Sequence, residues 1–170
     1  MNSVAAAVVS ILYFAVAPSV CQATDTTQQE AVRARSAEVM PFDLKATTHI
    51  FTKTRTGGVQ RVVAKNPDDT PQIQMIRAHL RDIADKFSRG DFSGPAQVHG
   101  AIMPGLADLR AAKPGELKTR YYDIAAGAEI EYSSESPKLV AALHEWFSAQ
   151  LADHGSDAMP GHDHAMPHND

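Results

Sequence analysis

The sequence predicts an α+β domain in which two ββα units form one antiparallel sheet with two main helices packed on one face. Three observations predict it. Two β-rich runs flank Gly57-Gly58, and two more flank Ala126-Gly127. Each pair is followed by a segment whose apolar residues recur at helical spacing. Laying both apolar stripes on one face of a shared sheet buries both at once.

The elements follow in order. Thr47 to Lys53 alternates around Ile50 and Phe51 and reads as a strand, with Thr56-Gly57-Gly58 as the turn and Val59 to Lys65 as its partner. Asn66-Pro67-Asp68-Asp69 breaks the pattern. Pro71 to Ser88 reads as a helix with an apolar stripe of Ile73, Ile76, Leu80, Ile83 and Phe87. Asp69 or Thr70 caps it, and Gly90 ends it. Asp91 to Leu106 is a Gly- and Pro-rich loop with a helical turn after Pro95, followed by a short helix over Leu106 to Ala112. Leu117 to Ile124 and Glu129 to Ser133 form the second hairpin. Ser136-Pro137 opens the last helix, whose broad face carries Leu139, Val140, Leu143, Trp146, Phe147 and Leu151, with Gly155 as its stop. The repeated ββα order suggests an internal duplication, on pattern alone.

This domain occupies residues 41–155. Residues 24–40 are polar without a repeating apolar face and read as a flexible lead-in with a helical turn near Glu30 to Arg35. Ahead of them, Ala5 to Ala17 is an uncharged apolar run, short for a membrane span and of signal-peptide length. Pro18 breaks it, and Cys21-Gln22-Ala23 offers small residues for cleavage after Ala23, making 1–23 a signal peptide. No Lys or Arg precedes the run, so a lipidated Cys21 and an uncleaved anchor stand as alternatives. Cleavage implies a periplasmic or secreted protein with no stable membrane insertion and, once Cys21 is lost, no cysteine.

Composition narrows the function. The 170 residues carry 16 Lys+Arg against 20 Asp+Glu, a formal charge of -4, which offers no basic surface for nucleic acid. A single cysteine excludes an intrachain disulfide framework and a thiolate zinc site. No nucleophile elbow, P-loop, dinucleotide fingerprint or HExxH motif is present, so a binding protein is expected ahead of an enzyme.

The chemistry-bearing residues are histidines and methionines. Residues 156–170 lack a core-forming pattern and read as a disordered tail. The tail repeats Ala-Met-Pro before histidine and holds Met159, His162, His164, Met166 and His168, with His154 just ahead of it. In extended chain His162 and His164 project to one side, where neutral imidazoles can close on Cu(II), Ni(II) or Zn(II). The soft thioethers of Met159 and Met166 suit Cu(I), so copper is the first expectation, with zinc or nickel as alternatives. Within the domain, His79 and His144 fall at the margins of helical stripes, where a half-buried structural histidine is the ordinary reading. His99 and Met103 lie in the loop Val98-His99-Gly100-Ala101-Ile102-Met103 and, with His49 or His79 across the sheet, form a candidate ordered metal site.

The segments PFDLKATTHIF, GGVQRVVAKNP, IRAHLRDIADKFSRGDFSGPAQVHGAIMPGL and LVAALHEWFSAQLADHG resemble a poorly characterised family of small exported bacterial proteins. The resemblance covers most of residues 41–155 and implies a genuine family domain without supplying an activity. Sequences of this kind are sometimes labelled aspartate carbamoyltransferase, and Phe51 to Thr56 faintly resembles that enzyme's carbamoyl-phosphate loop. That enzyme has two α/β domains and about twice this length, so the activity is not expected. The expected function is exported transition-metal binding: buffering, carriage or sensing of copper. The alternatives are a module that docks on an envelope protein partner and a small metal-assisted enzyme.

Overall fold

The computed structural model describes residues 21–162 of the protein, with side chains from residue 26 onward. Helix α1 spans Cys21–Val39, strands β1 and β2 span Thr47–Thr54 and Gly57–Ala64, and helix α2 spans Thr70–Ser88. Two short helices, α3 (Ser93–His99) and α4 (Leu106–Arg110), precede strands β3 (Lys118–Ile124) and β4 (Gly127–Ser133). Helix α5 (Pro137–His154), a 3-10 turn at Gly155–Asp157 and strand β5 (Ala158–Pro160) follow. The fold is α+β around one mixed sheet in the order β3-β4-β2-β1-β5.

The two hairpins form as the alternation predicts and join through antiparallel pairing of β2 with β4, from Gly57↔Ser133 to Val63↔Gly127. The first turn is Arg55-Thr56, one step earlier than the glycines suggest, because both glycines are in β2. Gly58 is there for space: a Cβ on it would lie 2.5 Å from Cε2 of Phe147 and 2.8 Å from the Thr52 carbonyl oxygen. Its absence lets α5 lie close on the sheet. Gly105 serves the same end, with φ +74° and a notional Cβ 2.0 Å from the Ala142 oxygen of α5.

Helix α2 is capped by Asp69, whose Oδ1 accepts from the Gln72 N–H at 3.1 Å, with Pro71 in the first turn. Ser136 caps α5, again followed by proline. The core lies between these helices and the sheet. Ile76, Leu80 and Phe87 of α2 and Leu143, Trp146 and Phe147 of α5 meet Val62, Ile130 and Tyr132 of the strands. Leu106 and Leu109 of α4 close its end.

Two expectations are corrected. Residues 24–39 are not a flexible lead-in but belong to α1, and Met40 follows its end. This helix docks through a narrow face in which Val32 and Ser36 are buried, and it is fastened by polar bonds. Gln29 donates to the Ala152 oxygen at 2.9 Å, Arg35 donates to the Val98 oxygen at 2.6 Å, and Arg33 pairs with Asp157 at 3.1 Å. A face made of Gln, Val, Arg and Ser gives no apolar periodicity to read. The start of the tail is not disordered either. Ala158–Pro160 pairs in parallel with β1, His49 opposite Ala158, which makes the sheet mixed instead of purely antiparallel. Three residues are too few to show a strand pattern in sequence.

Candidate functional site

Three of the eight histidines meet in the interior. The alternation of β1 turns Thr47, His49 and Phe51 toward the helices, so His49 is buried at 2% exposure. His154 ends α5 and His99 ends α3; both are buried as well. The His49 and His154 rings stack with centroids 4.8 Å apart and planes 9° apart, and His99 meets His154 edge-on at 5.0 Å. The Nδ1 of His99 lies 2.7 Å from Oδ2 of Asp153, the residue before His154. Residues 49, 99 and 154, far apart in the chain, thus make one chain of contacts that ends on a carboxylate.

Burial sets their charge. It pulls the His49 pKa down to about 4, with the nearby His79 adding to the effect. Burial likewise holds His154 well below the ordinary imidazole range, assisted by His49 and His99. Both rings are therefore neutral at pH 7 and keep a nitrogen lone pair. The Nδ1 of His49 has no hydrogen-bond partner. His99 donates from Nδ1–H to Asp153, as a metal-ligating histidine does to the carboxylate behind it, so Nε2 is the nitrogen it would offer a metal.

The cluster forms one wall of a cavity of about 160 Å³ between β1, α2, α3 and α5. His79 lines it too, but its ring sits edge-on to Phe42 at 5.5 Å instead of joining the cluster. Burial lowers the His79 pKa as well. Asp82 and Lys86 of α2 and Asp91 also line this cavity. Two larger depressions, near α4 and near the β3 end of the sheet, are lined by no histidine.

The other sequence candidates separate from this site. Met103 is buried in the apolar core and does not line the cavity, so the His99–Met103 pairing is not formed. The loop between them turns through Gly100, at φ +98°. His144 is structural: its Nε2 bonds to the carbonyl oxygens of Thr54 and Gly57 at 3.0 and 2.8 Å, tying α5 to the first hairpin turn. Met159 is half exposed on β5, and His162 is exposed two residues beyond that strand. His164, Met166 and His168 lie outside the described residues. His154, grouped by sequence with the tail, belongs to the domain cluster, because α5 runs to its full length before Gly155 stops it.

No protein-family model, curated protein or solved structure matches this chain. The site is therefore read on its own geometry. Among the described residues no three His, Cys, Asp or Glu side chains already stand as a metal-holding group. The flat His49–His154 stack explains this, since stacked rings send their nitrogens past one another rather than to a common point. Sequence reasoning missed Asp153, and also Gln150 and Trp146, which line the cavity. Only Asp153, adjacent to His154, offered a signal.

Proposed function

We propose that the protein binds a transition metal through His49, His99 and His154. The observation that supports this most strongly is the burial of three contacting imidazoles, two of them with pKa values lowered by burial and the third backed by Asp153. A core gains little by burying three imidazoles side by side when apolar residues of similar size would fill the same space. Rotation of the His49 and His154 rings about their side-chain bonds would turn the stack into a convergent set. The all-nitrogen donor set suits Cu(II), Zn(II) or Ni(II); with Met103 elsewhere, a soft Cu(I) preference rests on the tail methionines alone.

In this reading the protein is exported by residues 1–23, and the tail histidines collect metal for the domain. Those first residues lie outside the described ones. No described helix is long and apolar enough to cross a membrane. Cleavage after Ala23 would remove only the first residues of α1 and spare Gln29, Val32 and Arg35, which dock it. The carbamoyltransferase reading finds no support: Phe51 to Thr56 forms the end of β1 and a tight turn, in a fold of one sheet.

The test is a Zn(II) and Cu(II) titration of the full chain with His162, His164 and His168 all changed to Gln. We expect one tightly held equivalent, lost on His154→Ala. Loss of all tight binding with the tail changes would refute the domain site. A second reading, docking on an envelope partner, is favoured by the outward sheet face, where Ile50, Val63 and Tyr122 are only partly covered.

A further inference from the structure

Beyond metal binding, we infer that the cavity beside the histidines is a binding site for a small, uncharged, hydroxyl-bearing aromatic molecule of phenol size. Three unpartnered polar atoms point to a ligand. Nε1 of Trp146, Oε1 of Gln150 and Nδ1 of His49 are buried without a hydrogen-bond partner, and all three side chains line this cavity. These residues are 1%, 5% and 2% exposed. Buried polar groups are almost always paired, so three orphans around one space call for something in it.

Their chemistry specifies the complement. The Trp146 indole only donates and the Gln150 carbonyl oxygen only accepts. The two residues are four apart on α5 and share a face. A single hydroxyl answers both, accepting from the indole N–H and donating to the amide oxygen. The remaining walls include Phe51, Leu80, Phe87 and Val98, which suit an apolar body. The volume, about 160 Å³, is near that of an engineered apolar cavity of about 150 Å³ that takes benzene, and well above the roughly 30 Å³ share of one water. The surroundings disfavour an anionic occupant. Lys86 is paired with Asp82 at 2.7 Å, which leaves Asp91, bonded to the Ser93 N–H, as the wall charge without an ion pair. That remaining carboxylate repels an anionic occupant, and no free cation among the described wall residues would offset the cost of burying one.

The inference stands apart from the metal reading and is tested without metal. Trp146 is the only tryptophan, so its indole N–H gives a single nuclear magnetic resonance signal at the site. Full-length protein in chelator is titrated with phenol, benzene and benzoate while that signal is followed. We expect saturable movement with phenol, binding at least about fivefold weaker for benzene, and none for benzoate, as expected from one hydroxyl pairing two orphan groups. Gln150→Leu should bring phenol down to the benzene level and leave benzene affinity unchanged. Equal phenol and benzene affinities, or no saturable shift with phenol, would overturn the inference. The phenol-to-benzene ratio of the unaltered protein decides the matter even if Gln150→Leu fails to fold.

Discussion

A single buried imidazole illustrates how this protein's stability follows pH. Folded His49 has its pKa near 4, against 6.5 for an exposed imidazole, so between those values the unfolded chain binds more protons than the folded one. Stability is fully present above about pH 6.5 and falls as the pH drops toward 4, by up to roughly 3 kcal/mol from this group. His154 acts in the same direction. Denaturant unfolding of the metal-free protein at pH 7.5 and pH 5 should show the loss, and His49→Phe should flatten it. At the same scale, Asp153→Asn should weaken metal binding about 10- to 100-fold, as loss of a carboxylate behind a ligating histidine does, while unfolding stays cooperative. His144→Ala should instead cost about 1–2 kcal/mol of stability through its lost carbonyl bonds and leave metal affinity unchanged. The contrast separates a structural histidine from the proposed metal-binding cluster.

Among the elements, α1 and β5 fasten the edge of the domain beside His49. Strand β5 covers the edge of β1 at His49, Asp157 holds Arg33 of α1, and the Gly161 N–H donates to the Phe51 oxygen at 2.9 Å. Stopping the chain after Gly155 should lower the melting temperature by about 5 °C or more, the shift expected from a loss near 1 kcal/mol. Stopping it after His162 should leave the melting temperature unchanged. Thermal unfolding followed by circular dichroism distinguishes the two. Close packing of α5 on β2 gives a further expectation. Gly58→Ala places a methyl 2.5 Å from the Phe147 ring and should cost roughly 1–3 kcal/mol.

At the scale of the whole molecule, what could be read in the sequence follows from where each element's stability originates. The hairpins, α2 and α5 carry their own periodicity and caps, so Ile73 to Phe87 and Leu139 to Leu151 announce their partners. Helix α1 and strand β5 are held by long-range polar bonds and edge pairing, which leave no local trace. The site divides in the same way. His49, His79 and His99 were legible as residue types, but which of them meet is decided by the fold. His154 looked like tail because its neighbour Gly155 looked like an end. The orphan atoms of Trp146 and Gln150 could not be read at all, since both residues sit where an ordinary core helix would place them. One hydrophobic core thus supports two adjoining polar features, a histidine cluster and a cavity, from elements that meet only in the assembled fold.

The central claim is that His49, His99 and His154 close on one metal ion. X-ray absorption of the Zn(II)-loaded full chain, with His162, His164 and His168 changed to Gln, tests it most directly. The account predicts three imidazole nitrogens at about 2.0–2.1 Å, the usual zinc–histidine distance. A zinc environment made of oxygen ligands, or unchanged by His49→Ala and His154→Ala, would contradict it.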